Sequence, residues 1–206
     1  MPSDEKSLQK PTLHRHDDYC RCAERSIEEA AEEFVQNLAA RLRKMPLPLA
    51  LAKKRAESNL KKHYLLPAVR SFTAKALGVL PEQLDAVVIS NGDSRAEKKR
   101  WSDSKADQNV VVFDCPNTTD IFIKHEKIGT ISIEIKASKF EGVPGDLQRA
   151  IGQSLIASMR HTSAICLAVR GGRPRRTRTD DAAAKLVKAL WENHRIALVV
   201  RGLGKQ

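Results

Sequence analysis

Residues 119–136 read TDIFIKHEKIGTISIEIK, and this stretch decides both the fold and the candidate site of the chain. It predicts two short β-strands joined by a turn, with Asp120 near its start and Glu134-Ile-Lys136 at its end. Side chains two residues apart on a strand point the same way, so Ser132, Glu134 and Lys136 share one face, and the intervening isoleucines pack on the other. Two carboxylates and a lysine at the end of a sheet predict a site for a metal ion and a phosphate.

The composition is that of a globular protein with a basic charge balance. The 206 residues are 41% hydrophobic and 30% charged, which suits one domain with a substantial core. A net charge of +11 favours polyanionic partners, whereas an aromatic content of 4% argues against a base-stacking platform for single strands. No apolar run approaches the ~20 residues of a membrane span, and residues 1–19 lack the apolar block of a signal peptide. We therefore expect a cytoplasmic protein that does not use a membrane.

The chain divides into three regions within one domain. Residues 1–22 predict a flexible arm, residues 23–80 a helical region packed on the rest, and residues 81–206 an α/β core. Ser26 and Glu29 form a capping-box pattern at the start of the first helix. The second helical region contains Pro67, which we expect to kink or split it, and Gly78 is a plausible stop.

The core alternates strands and helices. We predict strands at 84–90, 109–115, 120–126, 130–138, 163–169 and 195–200, helices at 145–161 and 180–194, and a long charged surface loop at 91–108. Strand–helix–strand units at the end of the chain imply parallel pairing through right-handed crossovers. The expected fold is an α/β sandwich with a mixed central sheet flanked by helices.

In this order of elements, Asp120 and Glu134-Ile-Lys136 resemble the motif of the PD-(D/E)xK nuclease superfamily. Gln148, followed by Gly152, is similar to an element that several branches of that superfamily carry after the catalytic strand. The resemblance covers roughly residues 109–170. It implies a three-layer, restriction-endonuclease-like fold and a metal-dependent endonuclease or exonuclease that hydrolyses phosphodiester bonds, in DNA rather than RNA.

The resemblance also implies roles for the matched residues. Asp120 and Glu134 would bind Mg²⁺ or Mn²⁺, Lys136 would assist the attacking water or the transition state, and Gln148 would position the nucleophile or a phosphate. The chemistry agrees, because Mg²⁺ prefers oxygen ligands and usually takes only one or two carboxylates together with water and phosphate.

The ligand set leaves two alternatives open. Thr119 stands where the family name implies proline, and Asp114, which also ends a strand, could replace Asp120 as the metal ligand. A further acid from a helix often completes such sites. Glu57 is the candidate, and the acids of the first helix are the alternatives: Glu28, Glu29 and Glu33.

Two basic clusters are candidates for contacts with nucleic acid. They consist of Lys98, Lys99 and Arg100 beside Trp101, and of Arg173, Arg175, Arg176 and Arg178 in a loop rich in Gly and Pro. Arginine binds phosphate in a bidentate manner, although a solvated basic loop without a partner explains the second cluster as well. Another four residues could ligate a metal, but their spacing is cramped for a structural zinc site: His14, His16, Cys20 and Cys22.

Other functions fit parts of the same sequence. A non-catalytic nucleic-acid-binding or regulatory protein could retain the nuclease fold, and dispersal of Asp120, Glu134 and Lys136 in space would favour it. The amphipathic helix at 27–42 could bind another protein or form a homodimer.

Overall fold

The computed structural model of the protein describes residues 26–47, 56–92, 94–104, 109–112, 115–138, 144–170 and 180–202. The helices are α1 (Ile27–Lys44), α2 (Ala56–Leu60), a π-helical segment (Lys61–Leu65), α3 (Leu66–Leu77), α4 (Leu84–Val87), α5 (Arg95–Asp103), α6 (Pro144–Ser158) and α7 (Asp180–His194). The strands are β1 (Val88–Ser90), β2 (Asn109–Val112), β3 (Cys115–Thr118), β4 (Ile121–His125), β5 (Gly129–Ser138), β6 (Ser163–Arg170) and β7 (Ile196–Gly202).

Five strands form one mixed sheet in the order β1-β4-β5-β6-β7. The pairs β1–β4 and β4–β5 are antiparallel, whereas β5–β6 and β6–β7 are parallel. The parallel pairs are joined through α6 and α7, as the strand–helix–strand pattern predicts. The predicted α/β fold with a mixed sheet and flanking helices is confirmed.

Helices cover both faces of this sheet, and each face carries a cluster of buried apolar residues. On one face, Leu38 of α1 and Val69 of α3 belong to the same buried cluster as Ile133 of β5. On the other face, Ala150 of α6 and Leu190 of α7 belong to a second buried cluster with strands β6 and β7. This arrangement places β5 at the centre of the molecule, with its polar residues facing the side of the second cluster.

The first helix begins and ends on specific contacts. The Ser26 hydroxyl accepts a hydrogen bond from the Glu29 N–H, and the Glu29 carboxylate accepts one from the Ser26 N–H, which confirms the predicted capping box. At the other end, the buried guanidinium of Arg201 donates to the carbonyl oxygens of Leu42 and Met45. These bonds satisfy carbonyls that a helix terminus leaves without partners.

The expected break at Pro67 takes the form of a π-helical segment. Residues 56–77 remain helical throughout, but the Leu66 N–H donates to the Lys61 carbonyl, one residue further back than in an α-helix. Proline lacks an N–H donor and crowds the carbonyl four residues earlier, and π-bulges accommodate such defects. The helix then ends at Gly78 in the left-handed conformation (φ 70°), as predicted.

Three predictions for the segment before β4 are wrong. Residues 95–103 of the predicted loop form helix α5, which begins at a second capping box between Ser94 and Glu97. Residues 84–87 form a helical turn rather than the start of a strand. The predicted strand at 109–115 is also different, because β2 ends at Val112 and pairs with β3 in a two-stranded sheet separate from the five-stranded one.

None of the helices in the described ranges combines the length and the hydrophobicity that crossing a bilayer requires.

Candidate functional site

Asp120 is held opposite Glu134 by the pairing of β4 with β5. Ile121 pairs with Ile133, so the antiparallel register continued by one residue aligns Asp120 with Glu134. The Asp120 N–H donates to the Ile133 carbonyl at 3.1 Å, and the Asp120 Oδ2 accepts from the Ile135 N–H at 3.0 Å. The first bond fixes the Asp120 backbone against β5, and the second orients its carboxylate.

Glu134 and Lys136 lie on the same face of β5, as the alternation along the strand predicts. The Lys136 Nζ lies 2.7 Å from the Glu134 Oε1, which makes this a close, charge-assisted hydrogen bond. Only 4% of the Glu134 side chain is exposed, compared with 22% for Lys136. The carboxylate is thus at the bottom of the site and the ammonium nearer the solvent.

The helix at residues 56–77 contributes two further charged side chains. The Glu57 Oε1 lies 3.7 Å from the Lys136 Nζ, and its Oε2 accepts from the Ala137 N–H at 3.4 Å. The Lys61 Nζ lies 3.1 Å from the Asp120 Oδ1 and 2.5 Å from the Asn91 carbonyl oxygen. Residues four apart lie on the same face of a helix, so this helix delivers one carboxylate and one ammonium to the same end of the sheet.

Three carboxylates and two ammonium groups therefore meet at this site, and the imbalance changes the acidity of its most buried member. Burial disfavours the Glu134 carboxylate, and the nearby charges of Asp120 and Glu57 add to this effect. Although the Lys136 ammonium opposes it, the pKa of Glu134 rises to about 7. An additional cation at the site would reduce the repulsion between these carboxylates.

Lys136 responds in the opposite sense. Burial disfavours its ammonium form, but the hydrogen bond to Glu134 and the charges of Glu134, Glu57 and Asp120 outweigh the burial. The pKa of Lys136 is therefore raised, and the side chain stays positively charged at neutral pH.

The donor atoms suit a hard divalent cation. Asp120 and Glu134 offer carboxylate oxygens, and the excess negative charge around Glu134 favours a cation. In the part of the chain that the structure describes, no group of three or more His, Cys, Asp and Glu side chains is arranged to hold a metal ion. Mg²⁺ does not need such a cage, since one or two carboxylates usually suffice when water and phosphate complete its shell.

Gln148 and Gly152 are not among the residues brought together. Gln148 lies two residues before the buried Ala150, and Gly152 lies two residues after it. Each position is therefore rotated by about 200° around the helix axis from Ala150. The Gln148 side chain is exposed on the outer side of α6 and makes no hydrogen bond to the carboxylates within the described residues. A Cβ built on Gly152 would meet nothing within 4 Å, so no part of the described chain requires glycine there.

The residues predicted to contact nucleic acid fall into three groups. Lys98 and Lys99 are exposed on α5, whose first turn lines a small pocket together with Lys61. Arg100 forms an ion pair with Asp85 at 2.6 Å. The predicted sites outside the described residues are Arg173, Arg175, Arg176 and Arg178, the alternative ligand Asp114, and the group of His14, His16, Cys20 and Cys22.

Sequence reasoning missed Lys61 and left the helical acid open. Among the four candidate acids, the structure brings Glu57 to Lys136, whereas Glu29 closes the capping box of α1. The spacing of Glu57 and Lys61 could have suggested that both face one partner, because they lie one helical turn apart. The partner itself is remote in sequence and leaves no local signal.

Comparison of the chain with models of protein families, with curated proteins and with solved structures finds no match.

Proposed function

We propose that this protein is a metal-dependent nuclease that hydrolyses phosphodiester bonds, with DNA as the expected substrate. The observation that carries the proposal is the meeting of Asp120, Glu134 and Lys136 with Glu57 at one end of the sheet. Glu57 is remote in sequence from the other three residues, and a turn separates Asp120 from Glu134 and Lys136. The PD-(D/E)xK resemblance requires that Asp120, Glu134 and Lys136 meet.

Asp120 and Glu134 are the residues that would hold Mg²⁺ or Mn²⁺. Such an ion, when bound, neutralises charge on the scissile phosphate and makes a water molecule more acidic. Asp120 is already oriented for this by the Ile135 N–H. Glu134 is the more buried carboxylate, and its raised pKa of about 7 supports a site that gains stability when a cation approaches.

Lys136 is the group best placed to act on the phosphate. Its ammonium remains charged, is partly exposed, and is held between Glu134 and Glu57 at 2.7 and 3.7 Å. A positive charge fixed in this way stabilises negative charge that develops on the phosphate oxygens during water attack. Glu57, whose side chain is 40% exposed, lies at the solvent side of the site and keeps Lys136 in position.

A nucleic-acid substrate agrees with the charge of the chain. The net charge of +11 favours polyanions, and the exposed Lys98 and Lys99 lie on a helix that begins near Lys61. The preference for DNA over RNA comes from the resemblance and not from these charges.

The experiment is cleavage of supercoiled plasmid, single-stranded DNA and RNA in the presence of Mg²⁺ or Mn²⁺. Wild type is compared with Glu134→Ala and Lys136→Ala. Glu126→Ala and Lys127→Ala are matched controls, because they remove the same residue types from exposed positions in the turn of the same hairpin. We expect cleavage by wild type and both controls, loss of cleavage in the two site variants, and no cleavage in EDTA.

Two results would contradict the proposal. Equal cleavage by all five preparations would identify a contaminating nuclease. A folded wild type that cleaves none of the substrates but binds them would instead support the non-catalytic nucleic-acid-binding protein.

A further inference from the structure

Lys61 occupies the side of Asp120 that faces the helix, and no part of the PD-(D/E)xK motif accounts for it. Its ammonium contacts the Asp120 Oδ1 at 3.1 Å and is only partly accessible, with 15% of the side chain exposed. The same ammonium donates to the Asn91 carbonyl at 2.5 Å. This second bond holds Lys61 at the site independently of Asp120.

Lys61 lies where the α-helix passes into the π-helical segment. Lys61 is the first residue of that segment, which precedes Pro67, and its own carbonyl accepts the π-type bond from the Leu66 N–H. π-Bulges are frequently found at functional sites. Lys61 follows Glu57 by one α-helical turn, so both side chains reach the same end of the sheet, and the wider turn begins only after Lys61.

We propose that Lys61 is the resident cation of the site, which neutralises and orients Asp120 and competes there with a divalent metal ion. This inference rests on the proposed function, because it concerns a cation held by Asp120 and Glu134. An ammonium and a divalent ion that share one carboxylate repel each other, so the ammonium weakens metal binding. Lys61 would then set the metal affinity of the site as a positioning residue.

The surroundings of Lys61 allow it to yield to the metal ion. A pocket of about 20 Å³, enough for one water molecule, is lined by Lys61 together with Ser58, Ser90 and Gly92. Lys61 has three N–H donors, of which Asn91 and Asp120 use two. The ammonium can keep its bond to Asn91 while its contact with Asp120 lengthens.

The test is a titration with Mn²⁺ alone, without nucleic acid, in which free Mn²⁺ is measured by electron paramagnetic resonance. We expect Lys61→Gln to bind Mn²⁺ about tenfold more tightly than wild type, or tighter still. Lys61→Arg keeps the charge and should bind as wild type does. Lys62→Gln removes the same charge from the neighbouring, exposed position and is the matched control.

A second variant shows whether the effect acts through Asp120. In an Asp120→Asn background, Lys61→Gln should no longer strengthen Mn²⁺ binding, because the shared carboxylate is gone. Circular dichroism checks that each variant is folded. Lys61→Met, which keeps the aliphatic part of the side chain, replaces Lys61→Gln if that variant does not fold.

The outcomes separate this inference from the proposed function. Equal or weaker Mn²⁺ binding by Lys61→Gln, or the same gain in Lys62→Gln, overturns the inference even if wild type cleaves DNA. The expected gain in a protein that cleaves nothing supports the inference and counts against the nuclease. Absence of Mn²⁺ binding in wild type and in all variants overturns both.

Discussion

Two clusters of charged side chains among the described residues differ in depth and in the sign of their excess charge. The site cluster consists of Glu57, Lys61, Asp120, Glu134 and Lys136, with three acids and two bases.

The Asp85 cluster consists of one acid between two bases, Arg70 and Arg100. Asp85 is 47% exposed, whereas Glu134 is 4% exposed. Water screens the Asp85 cluster, whereas excess negative charge accumulates in the less hydrated site cluster. Ion pairs are thus common to both clusters, and burial with an excess of negative charge is what sets the site cluster apart.

The largest expected difference between the clusters is in catalysis. Under the proposed function, Glu134→Gln should lower metal-dependent cleavage on the order of a thousandfold, because it removes a carboxylate that would bind the metal ion. Asp85→Asn removes a carboxylate from the exposed cluster and should leave the rate nearly unchanged. Initial rates of plasmid nicking measure both. Similar losses in the two variants would mean that the site cluster has no special role.

The same Glu134→Gln variant should reveal the raised pKa of Glu134 through the pH dependence of stability. A carboxyl whose pKa is higher in the folded than in the unfolded state stabilises the fold when protonated, and this contribution is lost as pH rises through the folded pKa.

The pKa of Glu134 rises from 4.5 to about 7 in the folded protein. As the pH increases from 4.5 to 8, the free energy of unfolding of wild type should therefore fall by about 3 kcal/mol relative to that of Glu134→Gln. Urea unfolding at several pH values, without divalent cations, measures this difference. A constant difference across that range would show that Glu134 titrates normally.

Loss of a base from the site cluster should destabilise the protein by less than the ~3 kcal/mol expected from the titration of Glu134. Lys136→Met leaves the buried Glu134 without its closest positive partner, and we expect a loss of about 2 kcal/mol at pH 8. The loss should shrink below pH 5, where Glu134 is protonated and needs no partner. Chemical denaturation at both pH values provides the measurement, and an equal loss at both would point to lost packing rather than lost charge.

The smallest effect on stability is expected in the Asp85 cluster. Asp85→Asn should change the free energy of unfolding by less than about 1 kcal/mol, since exposed ion pairs contribute little. The change should fall further in 1 M salt, where charges at the surface are screened. A loss of several kcal/mol would show that Asp85 has a structural role that its exposure conceals.

Much of the local structure follows from the sequence. The alternation along residues 130–136 places Glu134 and Lys136 together on the face opposite the isoleucines, and Ser26 with Glu29 starts α1. Helix α5 was open to the same reasoning, because Ser94 and Glu97 repeat that capping pattern. The density of charge in residues 91–108 nevertheless favours a loop, which is wrong for residues 95–103.

Contacts between distant segments were beyond sequence reasoning. Glu57 bonds to the backbone of Ala137, 80 residues later, and Lys61 reaches Asp120, 59 residues later. No local pattern encodes such pairs, since they depend on where the helix at 56–77 packs against the sheet. For the same reason the outward direction of Gln148 emerged only from the packing of α6 on β5 and β6.

The sequence by itself therefore determined which side chains share a strand face or a helix face, because those periodicities are properties of the backbone. Only the tertiary structure decided that Glu57 and Lys61 join Asp120, Glu134 and Lys136, because long-range packing sets which faces meet. It also decided the acidity of Glu134, because its pKa depends on burial and on charges that come from three separate segments of the chain.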